Sequence, residues 1–80
     1  MRQIKVYTSP VCSYCHRAKE LLAQHGKGFD EIDITHNTKE AMRAAKGAGS
    51  YQVPILEVIT DGKSTFISGF HKERYLEAIK

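Results

Sequence analysis

Ile4-Lys5-Val6-Tyr7-Thr8-Ser9-Pro10-Val11-Cys12-Ser13-Tyr14-Cys15 decides how the chain folds, because it runs from a β-rich segment through a short loop into the first turn of a helix. Ile4 to Thr8 reads as a strand and Ser9-Pro10 as its exit. From Cys12 to about His25, the residues Cys15, Ala18, Leu21 and Leu22 fall on one apolar stripe at helical spacing. Gly26 and Gly28 stop that helix. Phe29-Asp30-Glu31-Ile32-Asp33-Ile34 then mixes apolar and acidic residues as a half-buried strand does. Strand, helix and strand within about thirty residues form a βαβ unit, so the first two strands are expected to run parallel.

Further along, Asn37 followed by Glu40 has the pattern of a helix cap with its reciprocal acid, and Ala41, Met42, Ala44 and Ala45 carry a short helix to Gly47. Gly47 and Gly49 open a loop. After Val53-Pro54, Ile55-Leu56-Glu57-Val58-Ile59 is the most β-rich run, and Asp61-Gly62 joins it to Ser64-Thr65-Phe66-Ile67 with a hairpin signal. A last helix from about Lys72 can bury Tyr75, Leu76 and Ile79. No repeat or linker breaks this order, so a single domain over residues 1–80 is expected. Its class is α/β, with a four-stranded mixed sheet flanked by three helices.

At 41% hydrophobic and 26% charged, the composition is that of an ordinary globule. No apolar stretch approaches the ~20 residues that cross a bilayer, so no membrane association is expected. The net charge of +3 is dispersed among Glu20, Glu31, Glu40, Glu57, Glu73 and Glu77, which reads as solvated helix faces and not as a nucleic-acid surface. Met1 leads straight into the first strand with no export signal, and the expected location is cytoplasmic. In that reducing compartment two cysteines are catalytic or metal-binding sooner than a structural staple.

Cys12 and Cys15 are the only cysteines. If residue 12 opens a helix, their Cα atoms lie one turn apart, roughly the 5.5 Å that a disulfide prefers. Unpaired N–H groups and the helix dipole favour a thiolate at that terminus. Cys12 is therefore the candidate nucleophile and Cys15 its resolving partner. His16 and Arg17 add donors or positive charge nearby, and Thr8 can donate a hydrogen bond near the sulfur; these three are the candidate modulators of its acidity.

Tyr7-Thr8 leading to Cys12-Ser13-Tyr14-Cys15-His16-Arg17-Ala18-Lys19, then Val53-Pro54, then Ser68-Gly69 before the final helix, resembles a glutaredoxin over nearly the whole chain. Cys-Ser-Tyr-Cys is a variant of the commoner Cys-Pro-Tyr-Cys of that family. The resemblance implies a thioredoxin fold and a thiol-disulfide oxidoreductase that reduces protein or glutathione mixed disulfides. It implies a cis Val53-Pro54 bond opposite the cysteines, with the Val53 backbone facing an extended substrate. Tyr14, Gln52, Val53, Pro54, Ser68, Gly69 and Phe70 would then line the substrate or glutathione site. No tightly bound cofactor is expected, and glutathione enters as a co-substrate. The expected partners are disulfide-containing proteins, ribonucleotide reductase among them, with glutathione or thioredoxin reductase as electron source and a monomeric chain.

Two positions depart from the family pattern. Many glutaredoxins carry a lysine where this chain has Ser9, and an acid shortly after a Gly-Gly pair where it has Ser68-Gly69-Phe70-His71-Lys72. Both substitutions remove groups that would hold glutathione. Ser68-Gly69-Phe70 resembles instead the redoxins that serve ribonucleotide reductase and draw on thioredoxin reductase. Among rival readings, Cys12-Ser13-Tyr14-Cys15-His16 matches a c-type haem attachment motif, though without an export signal. A structural zinc lacks its second ligand pair. Some Cys-Ser-Tyr-Cys glutaredoxins hold a [2Fe-2S] cluster between two subunits with glutathione, which is the alternative reading.

Overall fold

A strand covered on both faces buries successive residues. Arg2–Thr8 (β1) does so, with Val6, Tyr7 and Thr8 all buried. This computed structural model describes residues 2–80. After β1 come α1 (Ser13–Gln24), β2 (Asp30–Asp33), α2 (Thr38–Ala48), β3 (Ile55–Thr60), β4 (Lys63–Ser68) and α3 (Lys72–Ala78). The sheet order is β2-β1-β3-β4. As expected from the βαβ reading, β2 runs parallel to β1, with Tyr7 opposite Ile32. β3 is antiparallel to β1, with Val6 opposite Leu56, and β4 closes the hairpin across Asp61 and Gly62, both at positive φ.

The alternation of side chains across the sheet sorts the core into two layers. Ile4, Val6, Leu56, Val58 and Ile67 meet Ala18, Leu21 and Leu22 of α1 and Tyr75 of α3, with Ile79 just beyond it. Each fully buried Leu or Val contributes about 2 kcal/mol through apolar burial. On the opposite face, Tyr7 and Ile55 meet Ala44 of α2, with Ile32, Ile34, Ala48 and Phe66 packed around them. The Arg2 guanidinium binds the carbonyls of Ile79 and Lys80, fastening the last turn to β1.

Several local expectations are corrected. Asn37 precedes α2 but makes no side-chain cap; its Nδ2 donates to the Asp33 carbonyl at 2.9 Å, tying the helix start back to the end of β2. Met42 is exposed, because the buried face of α2 is made of Ala41, Ala44 and Ala45 alone. α2 also runs past Gly47 to Ala48 and ends on Gly49 in the left-handed region. An alanine face lets the helix sit low on the sheet, and at Gly47 a Cβ would stand 2.4 Å from the Phe66 ring. Gly47 is a close-approach residue and not a stop signal. β2 is limited to Asp30–Asp33, and Phe29 packs with the α1/α3 layer while Ile32 and Ile34 pack with the α2 layer.

Among the described residues one charged side chain lies wholly inside. Glu57 of β3 is buried, and the bare cost of burying a carboxylate is large unless it is paired and fully hydrogen-bonded. Arg43 grips both oxygens at 2.9 and 2.7 Å, Tyr7 donates at 2.7 Å and Ser64 at 2.6 Å. Burial pushes the carboxyl pKa up, but those donors overcome it and hold Glu57 at about 2. Next to this carboxylate, the buried Tyr7 phenol is driven well above its usual range.

Candidate functional site

β1 ends at the sheet's centre, and the chain turns through Ser9-Pro10-Val11 to start α1 over one face. Cys12 is the N-cap of that helix, with extended backbone angles, and its Sγ accepts from the Cys15 N–H at 3.1 Å. The Cys12 N–H in turn donates to the Ser9 carbonyl at 3.3 Å. A sulfur here takes the place that a Ser or Asp oxygen takes in most caps. Both cysteines are free thiols, Cys12 partly exposed and Cys15 only 2% exposed. Burial pushes the Cys15 thiol up to about 12, helped by its hydrogen bond with Cys12, while a backbone hydrogen bond at Ser9 and the charge of Lys19 pull it down. One sulfur is accessible from solvent and the other is buried and holds its proton.

On one side of the pair lies a groove of about 270 Å³, lined by Tyr14, Gln52, Val53, Gly69, Phe70 and His71. The Val53-Pro54 peptide bond is cis and Pro54 is buried. The Gly69 N–H donates to the carbonyls of Gln52 (3.2 Å) and Pro54 (2.8 Å), and Ser68 Oγ donates to Gln52 O at 3.0 Å. The end of β4 thereby clamps the residues on either side of Val53. Gly69 sits at φ 79°, the left-handed region where a side chain would be strained. Phe70 lies edge-on to Tyr75 at 5.5 Å and stacks with Tyr14 at 6.5 Å, while Tyr75 donates to the Gly69 carbonyl at 2.8 Å. Arg17 caps this aromatic row, 5.3 Å above Tyr14.

On the other side is a polar cavity of about 330 Å³ that touches both cysteines. Thr8 Oγ1 donates to Glu31 Oε2 at 3.0 Å, and Lys19 Nζ meets the same oxygen at 3.0 Å. The Lys19 hydrogen bond, aided by Thr8, holds the Glu31 carboxyl below its usual range against a smaller desolvation of this exposed side chain. A larger hollow of about 500 Å³ between α2 and Tyr51 is open and lined by neither cysteine, so it holds none of the thiol chemistry.

Tyr14, Gln52, Val53, Pro54, Ser68, Gly69 and Phe70 thus gather in or around one groove beside the cysteines. The three candidate modulators of the sulfur lie otherwise engaged. Thr8 is turned to Glu31, His16 pairs with Glu20 at 2.8 Å with its ring mostly in solvent, and Arg17 lies on Tyr14. Lys19 and Glu31 were not singled out in the sequence. Lys19 falls four residues after Cys15, one turn along the same helix face, but Glu31 comes alongside only through the parallel β1/β2 register, which no local pattern encodes. Among the described residues no cluster of three or more His, Cys, Asp or Glu is placed to hold a metal ion, and no helix is long and apolar enough to cross a membrane.

Comparison with known proteins bears on the family and the fold. Residues 4–64 match the family model described as Glutaredoxin. Over 54 residues the chain is 39% identical to Glutaredoxin 3 of Escherichia coli strain K12, an alignment covering 68% of this chain and 65% of that protein. The match thus spans just under two thirds of that relative's length. The glutaredoxin from Archaeoglobus fulgidus superposes with a TM-score of 0.77 at 27% identity, covering all of this chain and 88% of that one. The glutaredoxin-like protein NrdH-redoxin from Escherichia coli, described as having a thioredoxin-like activity profile, gives 0.69 at 29% identity over 94% of this chain and 92% of its own.

Proposed function

The chain belongs to the glutaredoxin family, and on that premise we propose that it reduces protein disulfides through a Cys12/Cys15 dithiol cycle. The observation that carries the reading is the helix-capping Cys12 sulfur, partly exposed beside the Val53-Pro54 groove with a buried second thiol in contact. Cys12, as thiolate, attacks one sulfur of the substrate disulfide. The S–S bond breaks, the leaving sulfur takes the electron pair and a proton, and a mixed disulfide forms on Cys12. Cys15 then loses its proton and attacks Cys12 Sγ, expelling the second substrate sulfur as a thiolate that is protonated in turn. Two electrons reach the substrate and the Cys12–Cys15 disulfide remains.

A protein substrate suits the surroundings. Val11 (94% exposed), Tyr14 (55%) and Tyr51 (66%) present large apolar side chains from the segments that carry Cys12 and Val53. A protein partner that covers them would remove this apolar surface from water. An extended partner segment would add main-chain hydrogen bonds at Val53.

The electron donor in this reading is an NADPH-linked thioredoxin reductase. Ser9 leaves out one cation for a glutathione carboxylate, and His71 and Lys72 stand exposed where an acid would hold its ammonium. Cycling also fits the cytoplasm, where thiols are kept reduced. The test is to offer the oxidised protein thioredoxin reductase with NADPH, and separately glutathione with glutathione reductase. NADPH consumption with the first alone supports the reading. Reduction by neither, or a coloured protein carrying an iron-sulfur cluster, overturns it.

A further inference from the structure

The resolving step requires Cys15 to release a proton from a site whose burial holds that proton tightly. The groups around Cys15 come from three elements. Cys12, His16 and Lys19 lie on or cap α1; Glu31 and Asp33 belong to β2; and Tyr75 approaches from α3. His16 is taken by Glu20, Asp33 by Thr35 and His36, and Tyr75 by the Gly69 carbonyl. Among the described residues, only Lys19 brings positive charge to the cavity wall without being turned away from it. Glu31 binds it at 3.0 Å, and Thr8 steadies the same Glu31 oxygen.

We infer that Lys19, anchored by Glu31 in the polar cavity behind the cysteines, is the positioning residue of the resolving step: its ammonium stabilises the thiolate that forms at Cys15. The inference rests on the disulfide-exchange reading and deepens it. In the mixed disulfide Cys12 carries no charge, so Cys15 alone must ionise. The proton leaves through the cavity to water, the Cys15 sulfur bonds to Cys12 Sγ, and the Cys12–substrate bond breaks with its electron pair on the departing sulfur. An opposite charge in the same cavity lowers a thiol pKa, and a carboxylate beside that charge offsets part of the effect. Lys19 and Glu31 should therefore act in opposite directions.

The experiment forms a mixed disulfide between Cys12 and a fluorescent aromatic thiol at low pH, jumps the pH, and follows release of the thiol. Lys19→Gln should move the rising limb of the pH–rate profile up by about one unit, a loss of about tenfold at pH 7. Lys19→Arg should restore the wild-type profile. Glu31→Gln should leave release at pH 7 as fast or faster and move the limb down. An unmoved limb in Lys19→Gln overturns the inference, and so does slowing in Glu31→Gln, which would make the carboxylate the proton acceptor instead. Wild-type protein that releases no thiol at any pH removes the disulfide-exchange reading as well. Normal release with unmoved variants removes the Lys19 inference alone.

Discussion

The Cys15 N–H donates to Cys12 Sγ at 3.1 Å across one turn, so in the proposed cycle the backbone of the resolving cysteine holds the sulfur it would later attack. This asymmetry predicts different fates for the two serine variants. Cys12→Ser removes the partly exposed sulfur proposed as the nucleophile and should abolish turnover, by about a thousandfold or more. Cys15→Ser keeps the attack but not the release. It should accumulate a covalent complex with a protein disulfide, visible by mass spectrometry as one substrate per chain and reversed by reductant. No adduct on Cys15→Ser would remove Cys12 from the nucleophile's role.

Glu57 predicts how stability depends on pH. Its pKa is about 2 in the fold against an ordinary 4.5, so the folded state binds the proton less readily. The resulting stabilisation is complete above about 4.5 and is lost as pH falls from there towards 2. Since Arg43 is half exposed, a discounted figure of about 2 kcal/mol is reasonable. Urea unfolding at pH 7, 4.5 and 2.5 should show a loss in that window that is much smaller in Glu57→Gln. Equal losses in the two proteins would mean that other carboxyls dominate acid unfolding.

The same carboxylate marks what the sequence hid. In Ile55-Leu56-Glu57-Val58-Ile59 the β-rich composition makes the strand legible, but Glu57 looks like a solvent-facing residue until α2 is laid over that face and Arg43 reaches it. The order of elements, the parallel first pair and the hairpin were all readable, since each is set by local periodicity and turn chemistry. Asn37 and Gly47 depart from their local patterns for one reason. Local rules assign a cap and a stop, whereas here contacts from other elements, the Asp33 carbonyl and the Phe66 ring, decided both positions. Within the site, Cys12, Cys15 and the groove residues carry motifs. Lys19 ends the motif stretch, but its meeting with Glu31 depends on strand register, which no motif encodes.

The aromatic row gives a test of substrate size. Tyr75 in the core supports Phe70, which supports Tyr14 beside the cysteines. Phe70→Ala removes the middle of that row, a contact worth about 1 kcal/mol beyond area burial. With a protein disulfide, KM should rise by about fivefold, while a small aliphatic disulfide, too short to reach Tyr14, should be turned over almost unchanged. An equal loss with both substrates would place the effect on the cysteines themselves.

Gly47 separates helix propensity from packing. Replacing an exposed mid-helix glycine with alanine stabilises by about 1 kcal/mol. Here the new Cβ would stand 2.4 Å from Phe66 Cε2 and 2.5 Å from Cδ2, too close for any real contact. Phe66 is itself pinned, for the Arg43 guanidinium lies 5.5 Å over its ring while gripping Glu57. For Gly47→Ala to gain its propensity term, the ring must move, and Arg43 must follow or lose its stacking. Overpacking of this kind costs about 1–3 kcal/mol, so the expected net change is a destabilisation of about 1 kcal/mol. Ala48→Gly, one position on and free of that clash, removes a methyl from the helix and should also destabilise by about 1 kcal/mol. If thermal unfolding instead shows Gly47→Ala to be more stable than wild type, α2 does not sit this low on Phe66.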